Sequence, residues 1–339
     1  MTSPDTVAIY GSEGIGMTHR NSKLVRGVVA AAGFALASGS VLAQTETDPA
    51  RAVAPAPLKD QTAPAVNVAA QQAPGFFLFQ DNSIGYRFGT EFKEPAISNA
   101  KNPSGIPITK NTISFTHVDA FKYGSNFINL DYLKSDHNDP QEKSGSGAEE
   151  LYFVYRGQLA PDAIFGTKLF PAGPLRDITF EAGFDHNTKN TSFGSYKWLV
   201  VAGPNFHFDV PGFLNIGVHY AQEWNHNGIV GKYIQFQPTL EIEAVYQFPL
   251  PFTGLPLRIE GFTNLVTPKG RDLFGVKTAT EILSQTRLTL DLGDVVLNKK
   301  QFLDLSIGFQ YWWNKFGSDH TKTKGSIENA PFIATTVHF

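Results

Sequence analysis

The side chains best placed to do chemistry are charged groups that stand opposite apolar faces in runs of strictly alternating residues. They are Arg87, Arg156, Arg258 and Arg287, with Asp131, Glu150, Asp177, Glu181, Glu223, Glu241, Glu243, Glu260, Asp291 and Asp304. A basic side chain facing hydrocarbon near a bilayer midplane costs about 2–4 kcal/mol, so an alternating run in lipid must turn these groups inward. Acids outnumber bases among them. Such an interior repels anions and admits neutral or cationic solutes. The same groups could equally form a salt-bridge ladder between neighbouring strands, with no transport role. Aromatics share the polar side at Phe127, Tyr152, Phe262 and Phe332. An aromatic face stacks a planar heterocycle for about 1–3 kcal/mol per base, while nearby carboxylates accept its amino or hydroxyl hydrogens. A bland role, filling gaps in the wall, suits the same residues. The candidate solute contacts are Phe127, Asp131, Tyr152, Arg156, Glu181, His219, Glu223, Arg258, Glu260, Phe262, Arg287 and Asp291.

Covalent chemistry has weaker support. A lipid-facing hydrolase needs a histidine and a serine nucleophile close together on one strand. Here His117 is followed by Val-Asp, His207 by Phe-Asp and His219 by Tyr-Ala, so no enzyme and no catalytic residue is expected. No two histidines share a strand face at ligand spacing. His137, between Asp136 and Asp139, reads as a solvated acidic loop rather than a calcium site. No metal or cofactor is expected.

The elements that must position these groups are strands. From Pro331 to Phe339, Ile333, Thr335, Val337 and Phe339 alternate with Phe332, Ala334, Thr336 and His338. Two unlike faces on a final strand leave an open edge, unless that strand pairs with the first and closes a barrel. Similar runs recur from Ile84 onward: Ile178, Phe180, Ala182 and Phe184 oppose Asp177, Thr179, Glu181, Gly183 and Asp185, and Leu303 to Tyr311 repeats the scheme. The run Asn111–Phe121 has mixed phase, and its faces are not assigned. About twelve strands result, an even number as in bacterial outer-membrane barrels. Long polar connections (91–110, 133–148, 186–194, 225–235, 267–280 and 314–329) mostly alternate with tight joins such as 122–125, 210–212 and 249–254. The join at 160–174 is long and carries Pro161, Pro171 and Pro174, room for a small element. Aromatics gather at strand ends, as membrane interfaces require: Tyr196, Trp198, Trp224, Tyr311 and Trp313 at one level, Tyr246, Phe248 and Phe339 at the other.

Upstream of the strands the texture differs. Gly27–Ala43 is apolar and small, follows Arg20, Lys23 and Arg26, and ends in Val41-Leu42-Ala43, so residues 1–43 read as a cleaved signal peptide. The stretch before Met17 fits no part of a signal, and translation is expected to start there. Residues 44–75, rich in Ala, Pro and Gln, read as a disordered tail; residues 76–339 form the barrel. Loss of the signal removes three bases and two acids, taking the formal net charge from −3 to −4, so no basic footprint for nucleic acid exists. The chain has no cysteine, which leaves the fold without disulfide support.

Several stretches resemble the nucleoside-specific channel-forming outer-membrane proteins of Tsx type: Asn111–His117, Phe121–Asp131, Gly203–Asp209 through Glu223-Trp224, Pro268-Lys-Gly270 with Lys277-Thr278, and Tyr311–Gly317. The resemblance covers nearly everything after Phe76. It implies an all-β, transmembrane antiparallel β-barrel of twelve strands that is monomeric and passes nucleosides down their gradient. The expected setting is the bacterial outer membrane, with both termini periplasmic, lipid around the wall and Pro331–Phe339 presented to the barrel-assembly machinery. The alternatives are a general pore, a structural or adhesive barrel, and, less favoured, a lipid hydrolase.

Overall fold

The computed structural model describes residues 76–168 and 173–339. The expected signal peptide and tail lie outside the described residues. Twelve antiparallel strands form the wall: β1 (Phe77–Phe92), β2 (Ile108–Phe121), β3 (Gly124–Ser135), β4 (Glu149–Leu159), β5 (Leu175–Lys189), β6 (Tyr196–Phe208), β7 (Phe213–Asn227), β9 (Thr239–Pro249), β10 (Leu257–Val266), β11 (Glu281–Asp291), β12 (Leu303–Trp313) and β13 (Ile327–His338). The short β8 (Lys232–Gln235) pairs only with the loop end of β7. Each wall strand pairs with its neighbours, β6 with β7 included, and β1 pairs with β13, so the ring is closed. The final strand therefore makes the closure that its alternation demanded. Ile84 stands opposite Val337 and Phe88 opposite Ile333, while Phe339 and Asn82 exchange backbone hydrogen bonds of 2.8 and 3.1 Å. With both edges paired, no backbone row in the wall is left for another chain.

The surface is inverted relative to a water-soluble protein. Tyr86, Phe88, Phe115, Leu130, Phe180, Val200, Ile307 and Ile333 face outward and exposed, whereas Arg87, Asp131, Glu181, Glu260 and Arg287 are buried inside. Only hydrocarbon gives that outer band a favourable solvent, and strands of 10 to 16 residues are long enough to cross it. Among the described residues no helix is long and apolar enough to span a membrane. Rings cluster at strand ends, His186 stacking on Trp198 at 4.3 Å and Tyr246 on Phe248 at 5.9 Å.

The end that holds both ends of the barrel segment carries the short joins 122–123, 209–212 and 250–256 and two longer ones, 160–174 and 292–302; the opposite end carries the long loops. The 292–302 join includes a helical segment, Gly293–Leu297. The 160–174 join contains α1 (Pro161–Phe165), which begins on a proline and stops at Gly166 in the left-handed region, φ +67°.

The mixed phase of β2 has a local cause. Ile113 and Phe115 face out and Thr112, Ser114 and Thr116 face in, but the outward row ends in polar groups. At its loop end Asn111 accepts a 2.5 Å bond from the Tyr86 hydroxyl. At its turn end Asp119 accepts from the Asn126 amide at 3.0 Å and lies 3.2 Å from His117 Nε2, with His117 Nδ1 2.8 Å from Asn82. Asp119 thus has outward parity, in the run whose faces the sequence leaves unassigned. It sits two residues from the strand end, near the interface, and its neighbours satisfy it.

Candidate functional site

Polar parity within each strand and the register between strands together build the lumen. Its side chains fall into three groups. At the loop end, Glu94, just beyond β1, lies 3.0 Å from Lys110 of β2, 3.0 Å from Lys189 of β5 and 3.5 Å from Lys315 beyond β12. Lys189 also reaches Asp139 at 2.8 Å, and Lys315 reaches Glu328 of β13 at 2.7 Å. Because β2, β3 and β4 separate β1 from β5 along the wall, the Lys189–Glu94 pair crosses the mouth. Burial acts to raise the Glu94 pKa, but Lys189, Lys315 and Lys110 overcome it and hold the carboxyl well below its ordinary value of 4.5. The stability this adds is complete above 4.5 and is lost as pH falls through the lowered value. Wild type and Glu94→Gln should accordingly differ most in unfolding midpoint at neutral pH and converge only in strong acid. Heat-modifiable gel mobility across a pH series checks this.

At mid-height one arginine ties two walls together. Arg156 of β4 donates to Asp185 of β5 at 2.7 Å, and its Nε lies 3.6 Å from Glu181 of β5 and 3.4 Å from Glu243 of β9. Its Nη2 is 3.9 Å from Glu241 of β9. Since β5, β6 and β7 lie between β4 and β9, this side chain spans the lumen. Gly183 makes the geometry possible, because an added Cβ there would collide with the Tyr155 carbonyl and the Arg156 side chain. Tyr152 donates to Asp185 at 2.7 Å and accepts from Lys197 at 2.9 Å.

On the opposite wall Glu260 of β10 lies between two arginines. Arg258 donates to it at 2.6 Å, Arg287 of β11 at 3.0 Å and the Thr289 hydroxyl at 2.6 Å. Arg258 also pairs with Asp304 of β12, which is 3.1 Å from His338 of β13. Arg87 lies over the Phe332 ring, 5.4 Å from its centroid, and hydrogen-bonds Gln285.

The structure therefore gathers Arg156, Glu181 and His219 at one level, and Arg258, Glu260 and Arg287 on the facing wall. Other candidates stand apart. Phe127 is buried against Val118 and Val154, and Phe262 packs against Phe213 and Val245. Both rings point inward as expected, but in this state their neighbours are protein. Glu223 pairs with Lys269, which the loop 267–280 brings in. Asp131 accepts from the Asn129 amide at 3.2 Å. Asp291 accepts from the backbone of Asp294 at 3.0 Å and Gln301 at 2.7 Å, so it shapes the β11–β12 turn instead of lining a passage. Sequence reading missed Asp185, Lys197, Lys189, Glu94, Lys269 and Lys315 as contributors. The parity of β5 and β6 could have found the first three; the loop residues carry no periodic signal.

The lumen is closely filled: His219 and Glu260 are 0% exposed and Glu241 1%. Chemically this is a polar, acid-rich constriction crossed by a guanidinium, within a barrel of the membrane-spanning class.

No protein-family model and no curated protein matches the chain, so the resemblance to nucleoside channels stands on the motif residues alone. Among solved structures, the translocator domain of the autotransporter NalP from Neisseria meningitidis aligns at 12% identity and TM-score 0.40, covering 77% of this chain and 88% of that one. A KdgM porin aligns at 10% and 0.35, covering 76% and 99%. The β-domain of the Bordetella autotransporter BrkA aligns at 11% and 0.35, covering 76% and 98%.

Proposed function

We propose that this barrel is a channel of the bacterial outer membrane, monomeric and with both termini periplasmic, that passes small hydrophilic solutes by diffusion and prefers nucleosides. The observation that carries the reading is the lumen's chemistry: polar and charged groups reach across it, as Arg156 does from β4 to Glu243 of β9. Buried ion pairs give little stability over apolar packing of the same volume, so a barrel needing only rigidity gains nothing from such an interior. An excess of carboxylates around Arg156 and Arg258 favours neutral solutes over anions. Passage of a ring the size of a nucleobase requires the Arg156 tie to yield.

Proteoliposome swelling tests this. Adenosine and thymidine should enter faster than a disaccharide, and adenosine monophosphate hardly at all. Equal rates would leave a general pore, and no swelling would support the second reading, a closed structural or adhesive barrel, which the near-zero exposure of His219 and Glu260 favours. The aromatics should divide in this assay. Phe262 is partly accessible, so Phe262→Ala should slow nucleoside entry relative to sugar. Phe127, 4% exposed, should cost stability instead, about 3–5 kcal/mol on truncation to alanine.

A further inference from the structure

His219 is fully buried on the lumen side of β7, yet neither of its ring nitrogens has a hydrogen-bond partner. An imidazole in that position ordinarily satisfies at least one nitrogen. Its Nε2 lies 3.5 Å from Oε1 of Glu181, a carboxylate oxygen that also lacks a hydrogen-bond donor. The other oxygen of Glu181 is held by the Gln158 and Asn205 amides, each at 2.6 Å, which fixes the carboxylate plane. Glu243 projects from β9 into the same space, and one ligating atom each from Glu181, His219 and Glu243 all lie within 4.8 Å of one another. The imidazole is seated by Gly217, where a Cβ would overlap the ring itself. With metal–ligand bonds of about 2.0–2.2 Å, tetrahedral ligand atoms stand about 3.4 Å apart, close to the spacing of Nε2 and Oε1.

We propose that Glu181, His219 and Glu243 form a lumen site for a divalent transition-metal cation, with Zn2+ as the best-matched ion. One imidazole and two carboxylates suit a borderline cation better than Mg2+ or Ca2+, which take oxygen ligands in larger number. Two carboxylates also balance its charge. The site's competitor is internal: Arg156 lies 3.6 Å from Glu181 and 3.4 Å from Glu243. A bound cation takes over both carboxylates and leaves Arg156 its 2.7 Å bond to Asp185 and the longer 3.9 Å approach to Glu241, so the β4–β9 tie across the lumen is weakened. The site follows from wall geometry and holds whether or not the barrel conducts.

The test is titration calorimetry of Zn2+ into the refolded barrel in detergent, with zinc-edge X-ray absorption on the loaded protein. One saturable site per chain is expected, its shell containing a single imidazole nitrogen and carboxylate oxygens. His219→Ala and Glu243→Gln should each weaken binding by about tenfold or more, while Arg156→Gln should tighten it. Strand content by circular dichroism certifies each variant, with His219→Gln replacing the alanine variant if that fails to refold. Absence of a saturable site overturns the proposal. So does a site of unchanged affinity in both the His219 and Glu243 variants, which would place the ion on surface histidines.

Discussion

Replacing Glu260 by alanine should lower the barrel's unfolding free energy by about 3–5 kcal/mol, the loss expected when one partner of a buried ion network is removed. Glu260 is 0% exposed and receives Arg258, Arg287 and the Thr289 hydroxyl together. Without it, Arg258 and Arg287 lose the carboxylate to which both donate, while Arg258 keeps its pair with Asp304. Arg287 is 4% exposed, so water does not readily make good the loss. The replacement of Asp291, which binds only turn backbone, should cost far less. Urea unfolding in a lipid-matched detergent separates the two, and a loss under about 1 kcal/mol at Glu260 would show that the network is well hydrated in lipid.

The second large effect is expected at Arg156. Its removal takes the guanidinium charge from among Glu181, Asp185, Glu241 and Glu243, leaving Lys197 3.9 Å from Asp185, and clears the side chain that crosses from β4 to β9. Arg156→Gln should therefore raise single-channel conductance by roughly twofold or more and shift selectivity further toward cations. Loss of a neutralising charge and widening of the passage act in the same direction for cations and in opposite directions for anions. A variant with larger conductance but unchanged ion preference would mean that Arg156 acts only as a steric bar.

What the sequence made legible was parity. A period of two assigns faces without further knowledge, so Arg87, Glu181, Glu260 and Phe332 could be placed inside, and the pairing of Pro331–Phe339 with the first strand could be expected. Where polar residues appear on the outward row, as Asn111 and Asp119 do in β2, the pattern blurs and the faces become readable only from the partners Tyr86 and Asn126. Register was not legible. The meeting of Arg156 with Glu243 depends on strands far apart along the chain, and that of Glu260 with Arg287 on the pairing of β10 with β11. The grouping of Glu181, His219 and Glu243 uses three strands, which linear ligand spacing cannot reveal, and it revises the expectation of no metal-ligating cluster. Loop residues such as Glu94, Lys269 and Lys315 reach inward from segments without periodicity. Asp291 had the parity of a lumen residue, but its position at the last turn of the strand gave it backbone amides to bind.

The most direct measurement is a planar-bilayer recording of the purified wild-type barrel under a salt gradient. Small, discrete, cation-preferring steps that adenosine reduces would match a narrow acid-rich lumen held by Arg156. A membrane left silent by protein whose folding is verified, or steps that favour anions, would contradict it.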